Sequence, residues 1–257
     1  MINPGVPKHW KALQADVAQI LSECGFQVES NKTITTVRGK VDIDVFALDR
    51  SQTPPVIYLC ECKLWNSNVP KREVHAFRTV VNDFGANWGL IISKKGFQSG
   101  AFEAAINTNL RLFNWQEFQS LFADRWYHEY MVPILKKVTL RLGWYTEPIN
   151  SGSSRKSATL SPAAQKRFSS LQKEYENLEW LALQLSLSAY HVQDKPAPAL
   201  PLREHRFREL LESKTQDEIG IPEDVLAATS LRGLLDLLIE HLRTGIAKFD
   251  EVFGERA

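Results

Sequence analysis

The segment VDIDVFALDRSQTPPVIYLCECK, residues 41–63, places acidic and basic side chains inside two apolar, strand-like runs. Side chains alternate faces along a strand, so Asp42 and Asp44 share one face while Val41, Ile43 and Val45 take the other. In the second run Glu61 and Lys63 share a face, with Tyr58, Cys60 and Cys62 opposite. Paired as a hairpin, the two runs bring Asp44, Glu61 and Lys63 to one side of a sheet. Charges in strands this apolar are costly to bury without partners or a metal. Two carboxylates beside an ammonium form a hard-oxygen site suited to Mg2+, completed by water and a substrate phosphate. The same alternation also fits the solvated face of an amphipathic hairpin, so alternation alone leaves both readings open.

The flanking chain must supply the elements that hold these groups. Residues 8–24 set Trp10, Leu13, Val17, Ile20 and Leu21 at helical spacing, and Gly25 follows as a helix end. Strand-like runs cover about 26–36, 41–48 and 56–63, with turns at Gly39 and at SQTPP, residues 51–55. Helical spacing returns over 71–84 through Val74, Phe77, Val80 and Val81, followed by the apolar strand WGLIIS at 88–93. A short helix near 99–107, a short strand at 110–113 and a helix at about 115–127 complete the region. The order predicts an α/β fold, a mixed β-sheet flanked by helices on both faces.

In this order the residues resemble the PD-(D/E)XK nuclease superfamily, and within it the Mrr-like, type IV restriction endonucleases. The resemblance rests on the leading helix ending in Gly25-Phe26, then Gly39 before Ile43-Asp44-Val45, then Glu61-Cys62-Lys63. Downstream it continues through Gly89-Leu90-Ile91-Ile92-Ser93 into Gly96-Phe97 and the helix carrying Ala101, Ala104 and Ala105. It implies a restriction-endonuclease-like αβββαβ core over roughly residues 8–127 and a metal-dependent deoxyribonuclease activity. Asp44 and Glu61 would then ligate Mg2+ (or Mn2+), the main-chain carbonyl of Cys62 would be a further ligand, and Lys63 would position or activate the attacking water. Many relatives carry a Glu on the first helix, where this chain has Leu13-Gln14-Ala15-Asp16. Gln14 is therefore a supporting candidate, reaching the metal shell through water or a phosphate, and the number of metals stays open. Asp42 is either an extra ligand or a solvated residue at the strand entrance.

The chain has 31 Lys+Arg against 30 Asp+Glu, a net charge of +1, which gives no bulk basic excess for gripping nucleic acid. Distribution matters more. Residues 32–95 hold ten basic against six acidic groups, and Lys40, Lys71, Arg72, Lys94 and Lys95 fall at strand ends or helix starts around the site. These, with Trp65, are the candidate DNA contacts. Cys60 and Cys62 have no second Cys pair or His cluster to complete a zinc site and read as buried small hydrophobes. No phosphate-binding loop of the G-x-x-x-x-G-K type occurs, so no nucleotide cofactor is expected. Three Cys, no leader-like N-terminus and no apolar run approaching about 18–20 residues predict a reduced cytoplasmic protein that does not cross a membrane.

Beyond the nuclease-like region, taken as 1–130, residues 131–160 read as a connecting segment and linker, with TEPINSGSSRKSATLSP at 146–162 rich in Ser, Gly and Pro. Residues 161–257 read as helical. Ser161-Pro162 starts a helix carrying Phe168, Leu171, Tyr175, Leu178, Ala182, Leu185 and Ala189, the loop DKPAPALP breaks it, and 203–213 and about 222–253 turn helical again. A charge-balanced helical region with such a seam is expected to form a homodimer or bind a protein partner. Function is thus expected to be Mg2+-dependent endonucleolytic hydrolysis of DNA, of the restriction or defence type. Two other readings remain: a catalytically inactive nuclease fold kept for nucleic-acid binding or assembly, and a structure-specific DNA repair nuclease.

Overall fold

The computed structural model describes residues 1–147, 152–186, 196–204 and 220–254, in two compact units, residues 1–129 and 130–257. In the first unit the element order is α1 (Trp10–Glu23), β1 (Gln27–Thr36), β2 (Gly39–Asp49), β3 (Val56–Lys63), α2 (Lys71–Phe84), β4 (Trp88–Ser93), α3 (Ser99–Ala105), β5 (Leu110–Asn114) and α4 (Trp115–Trp126). The five strands form one sheet in sequence order. β1, β2 and β3 pair antiparallel, and β3, β4 and β5 pair parallel. A mixed sheet flanked by helices is therefore present, as the element order predicts.

Local chemistry sets the helix ends. The Nδ1 atom of His9 accepts from the Ala12 amide at the start of α1, and Gly25, at φ +83°, turns the chain into β1. Asn114 closes β5 and caps α4 at once: its side chain accepts from the Glu117 amide while Glu117 reaches back to the Asn114 amide.

On one side of the sheet α2 and α3 pack together over a core of Ile43, Phe46, Leu59, Val74, Phe77, Val81, Ile91 and Leu110. Elsewhere α1 and α4 meet, and the Phe26 ring lies edge-on to both Tyr58 and Phe122. β4 is buried along five of its six residues, as a central parallel strand requires.

A π-helical turn, Tyr127–Met131, follows α4 across the boundary at residue 130, and the second unit then holds α5 (Val132–Thr146), α6 (Gly152–Ser157), α7 (Pro162–Ser186), a 3-10 turn at Leu202–Glu204, α8 (Glu223–Ala227) and α9 (Leu231–Phe253). The stretch 131–160, expected as connecting chain, thus carries two helices over its described residues. The spacing of Val132, Leu135, Thr139, Leu142 and Tyr145 is helical, and Thr139 is tolerated in the buried stripe because its hydroxyl donates to the Leu135 carbonyl. Residues 148–151 of the expected linker, Ala189 of the expected helical seam, 194–195 of the expected loop and 205–213 of the expected helix lie outside the described residues.

The helical seam has its partner within the chain. Phe168, Leu171, Tyr175, Leu178, Ala182 and Leu185 of α7 are buried, and α7 packs on α5 and α9. Tyr145 stacks on Phe249, with Phe168 edge-on to that ring. A second protein would have to use other faces, such as the exposed Leu140 and Trp180.

Candidate active site

Strict alternation along β2 would put Ile43 and Phe46 on opposite faces, yet both join the core beneath α2 and α3. The twist falls between them, at Asp44. Opposite Asp44, Asn31 of β1 adopts a left-handed φ of 52° between the paired residues Ser30–Val45 and Lys32–Ile43. On the other flank the β2–β3 ladder ends at Val45–Cys60. Past that point the Asp44 carboxylate replaces the lost ladder bond, accepting from the Cys62 amide at 2.7 Å. Its carbonyl is served from α1: the Gln14 side-chain nitrogen donates to the Asp44 carbonyl at 2.6 Å and to the Asn31 side-chain oxygen at 2.7 Å. Gln14 is 4% exposed. It therefore pins the main chain that carries Asp44.

Glu61 and Lys63 share a face of β3, and the parallel partners Ile91 and Ser93 of β4 fix their register. Lys63 Nζ lies 2.7 Å from Glu61 Oε1 and 3.6 Å from Glu73 Oε2, at the start of α2. Side-chain exposures of 17% for Lys63 and 22% for Glu61 leave the cluster only partly hydrated. Burial pushes the Asp44 carboxyl above its usual range, while the Cys62 amide, Lys63 and a hydrogen bond from Trp10 pull it back. Burial also raises Glu61, which Lys63 opposes and the Asp44 and Glu73 charges reinforce. Burial works against the Lys63 ammonium, but Glu61, Glu73 and Asp44 overcome it and hold Lys63 protonated.

Three carboxylates thus face one ammonium, and burial disfavours the charge on Asp44 and Glu61. A hard divalent cation fits this donor set, with Asp44, Glu61 and the Cys62 carbonyl as ligands. Among the described residues no three His, Cys, Asp or Glu side chains group as a metal-binding set. Zinc chemistry does not fit: Cys60 and Cys62 are buried and burial pushes both thiols well above their usual range.

The other sequence candidates divide. Asp42 is exposed and accepts from the Thr33 hydroxyl across the β1–β2 ladder, as a solvated strand-entrance residue would. Trp65 is half-buried against the core beneath α2, with Lys63 Nζ 5.1 Å from its ring centroid, which favours packing over base contact. Lys94 follows β4 beside the site, its amide bonded to the Lys63 carbonyl, and both Lys94 and Lys95 are exposed. Lys40 is also exposed, four residues before Asp44. Lys71 faces Glu103 at 4.0 Å and Arg72 faces Glu73 at 3.4 Å. Sequence reasoning missed Trp10, Asn31 and Glu73. Only Glu73 carried a signal, as an acidic residue in the first turn of a helix following the Glu-x-Lys strand.

Residues 8–122 match the restriction endonuclease family of the Mrr catalytic type. Two solved structures are similar. One, titled as the protein of unknown function AF1548, shares 18% identity and a TM-score of 0.40, covering 72% of this chain and 98% of that one. The other, the DNA modification-dependent restriction endonuclease AspBHI, shares 12% identity and a TM-score of 0.28, covering 45% of this chain and 35% of that one. No curated protein matches the chain.

Proposed function

We propose that the chain, whose residues 8–122 match the restriction endonuclease family of the Mrr catalytic type, is a Mg2+-dependent endonuclease that hydrolyses DNA phosphodiesters at Asp44, Glu61 and Lys63. Restriction or defence is the proposed setting, and Mn2+ the proposed substitute. The carrying observation is the cluster itself: two carboxylates raised by burial beside an ammonium locked at 2.7 Å.

Asp44 and Glu61, with the Cys62 carbonyl, would hold the cation. Such an ion, when bound, lowers the pKa of its water and offsets charge on the scissile phosphate. The protein's own groups do the rest. The Cys62 amide fixes the Asp44 carboxylate, and Gln14 fixes its main chain. Lys63 Nζ keeps its proton, so its role is to donate, orienting the attacking water and meeting charge that develops on a phosphate oxygen. Glu61 and Glu73 hold that ammonium from two sides.

The test is cleavage of supercoiled and linear DNA, methylated and unmethylated, together with branched DNA, in Mg2+, Mn2+ or EDTA. Wild type should cut with either metal and not in EDTA. Lys63→Ala should lose about 10²–10³-fold in rate, as removal of a preorganised donor does, and Asp44→Asn should be inactive. Wild type that cuts nothing in any metal would leave the fold as a binding module. Cutting both strands needs two active centres, so a homodimer or protein partner belongs to the proposal, and light scattering with and without DNA tests it.

A further inference from the structure

A groove of about 320 Å3 opens between α1 and β1, lined by Trp10, Lys11, Gln14, Ala15, Ser30 and Asn31. It shares two walls with the site just described. Gln14 bridges Asn31 to the Asp44 carbonyl, and the Trp10 side chain helps pull the Asp44 carboxyl back down. Trp10 lies on the helical stripe of Leu13, Gln14, Val17, Ile20 and Leu21, all buried, yet it is itself 41% exposed. An indole one turn before a buried stripe would gain more by turning inward. Here the ring instead lines the groove and meets water. Lys11, beside it, is exposed.

The lining is one π-face, one ammonium, and several amide and hydroxyl groups. Single-stranded nucleic acid is held by that combination: bases stack on aromatics, cations meet phosphates, and polar groups meet base edges and sugars. The volume is at the lower end for pockets that hold a small ligand. Asn31 keeps a left-handed backbone in the wall, a conformation a non-glycine residue holds only when its surroundings impose it.

We propose that this groove is the subsite for the nucleotide flanking the scissile phosphate on the strand being cut, with its base unpaired and stacked on Trp10 and its phosphate met by Lys11. The proposal rests on the reading of Asp44, Glu61 and Lys63 as the hydrolytic site, and it deepens that reading. A base inside a duplex cannot present its face to Trp10. The subsite therefore selects DNA whose bases are unpaired at the cut, as in single strands, frayed ends or locally opened duplex.

The experiment pairs substrate and protein variants. Steady-state cleavage is measured on single-stranded oligonucleotides, intact or with one abasic position beside the cut, for wild type, Trp10→Ala and Trp10→Phe. Trp10→Ala should raise KM about tenfold, the loss of one stacked base, and Trp10→Phe should restore it. The abasic substrate should cost wild type a similar factor, and the two penalties should not add. Both Trp10 variants lose the indole N–H. Were that N–H the whole role of Trp10, both would be impaired alike, in kcat, and the proposal would fall.

A second measurement separates the two ideas. In EDTA, binding of the same oligonucleotides needs no hydrolysis, and Trp10→Ala should weaken it about tenfold while Trp10→Phe does not. Lys11→Ala should flatten the dependence of log affinity on log salt by about 0.7. Binding that shows this pattern beside a wild type that never cleaves would overturn the nuclease reading and keep the subsite. Cleavage and binding that are both indifferent to Trp10 and to the abasic position would overturn the subsite and keep the nuclease.

Discussion

At the scale of single residues, the site is held by bonds between groups that ordinarily serve the sheet. Asp44 occupies the point where β2 leaves β3, so its carboxylate takes the Cys62 amide and its carbonyl takes Gln14. With burial disfavouring both Asp44 and Glu61 as anions, a divalent cation should bind the folded state and stabilise it. Ca2+ suits the measurement, being a hard oxygen-seeking ion like Mg2+. At about a hundredfold over its dissociation constant it should add about 2–3 kcal/mol to wild-type stability, and nothing to Asp44→Asn, in thermal unfolding followed by fluorescence. An equal shift in both would place the ion elsewhere. Asp44, Glu61 and Lys63 were legible because a charged residue in an apolar strand demands an explanation. Trp10 was not: helical spacing enrolled it in the core stripe, and spacing cannot tell a buried indole from one 41% exposed. Asn31 was hidden because nothing in a strand pattern marks a left-handed backbone or a side-chain bond to Gln14, seventeen positions away.

At the scale of elements, one ion pair ties two helices to the strand bearing Asp44. Asp49, at the end of β2, is fully buried and meets Arg125 of α4 through bonds of 2.6 and 3.0 Å. Arg125 also donates to the Cys24 carbonyl behind α1 and stacks over Phe26 at 4.1 Å. The Arg125 hydrogen bonds hold the Asp49 carboxyl far below the usual carboxylate range, against its burial. A depressed folded pKa means stability that is present above the unfolded value, near 3.9, and lost as pH falls toward the folded one. Asp49→Asn should cost about 3 kcal/mol at neutral pH, the cost of leaving a buried charge without its partner. Urea unfolding across pH should show that gap constant from pH 8 to about 5 and narrowing below about 4, as wild type alone loses the pair. A gap that widened in acid would contradict the assignment. A second element-scale constraint is the approach of α2 to β4. A Cβ at Gly89 would come 2.4 Å from Leu110 Cδ2 and 2.6 Å from Val81 Cγ2. Gly89→Ala should therefore cost about 1–3 kcal/mol, read as a lower urea midpoint at unchanged slope. The strands and flanking helices of the first unit were legible from period and turn residues. The twist in β2 was not, because a change of face at Asp44 leaves no mark in a pattern read two residues at a time. Helix α5 was also missed: Thr139 and Gly143 interrupt its apolar stripe, and it begins from a π-turn that has no cap signature.

At the scale of the whole molecule, the net charge of +1 hides how unevenly charge is used. Of the candidate DNA contacts, Lys71 and Arg72 already face carboxylates, whereas Lys40, Lys94 and Lys95 are exposed and have no ion pair among the described residues. Adding Lys11 at the groove gives four cations for phosphates. Each phosphate neutralised on a single strand contributes about −0.7 to the slope of log affinity against log salt, and each on a duplex about −0.9. Metal-free duplex binding should then show a slope of about −3.5, so affinity falls roughly 100–150-fold between 50 and 200 mM salt. Fluorescence anisotropy with a labelled oligonucleotide reads this directly. Lys94→Ala combined with Lys95→Ala should reduce the slope by about two if both meet phosphates. A slope of −6 or steeper would mean that cations of the helical unit, residues 130–257, also grip DNA, and the charge balance of that unit would then conceal a basic face. A slope near −3.5 that drops with the lysine pair would confine phosphate contact to the first unit. The electrostatic contribution would then be too small to select a target, leaving discrimination to the stacking and hydrogen-bonding groups beside Asp44.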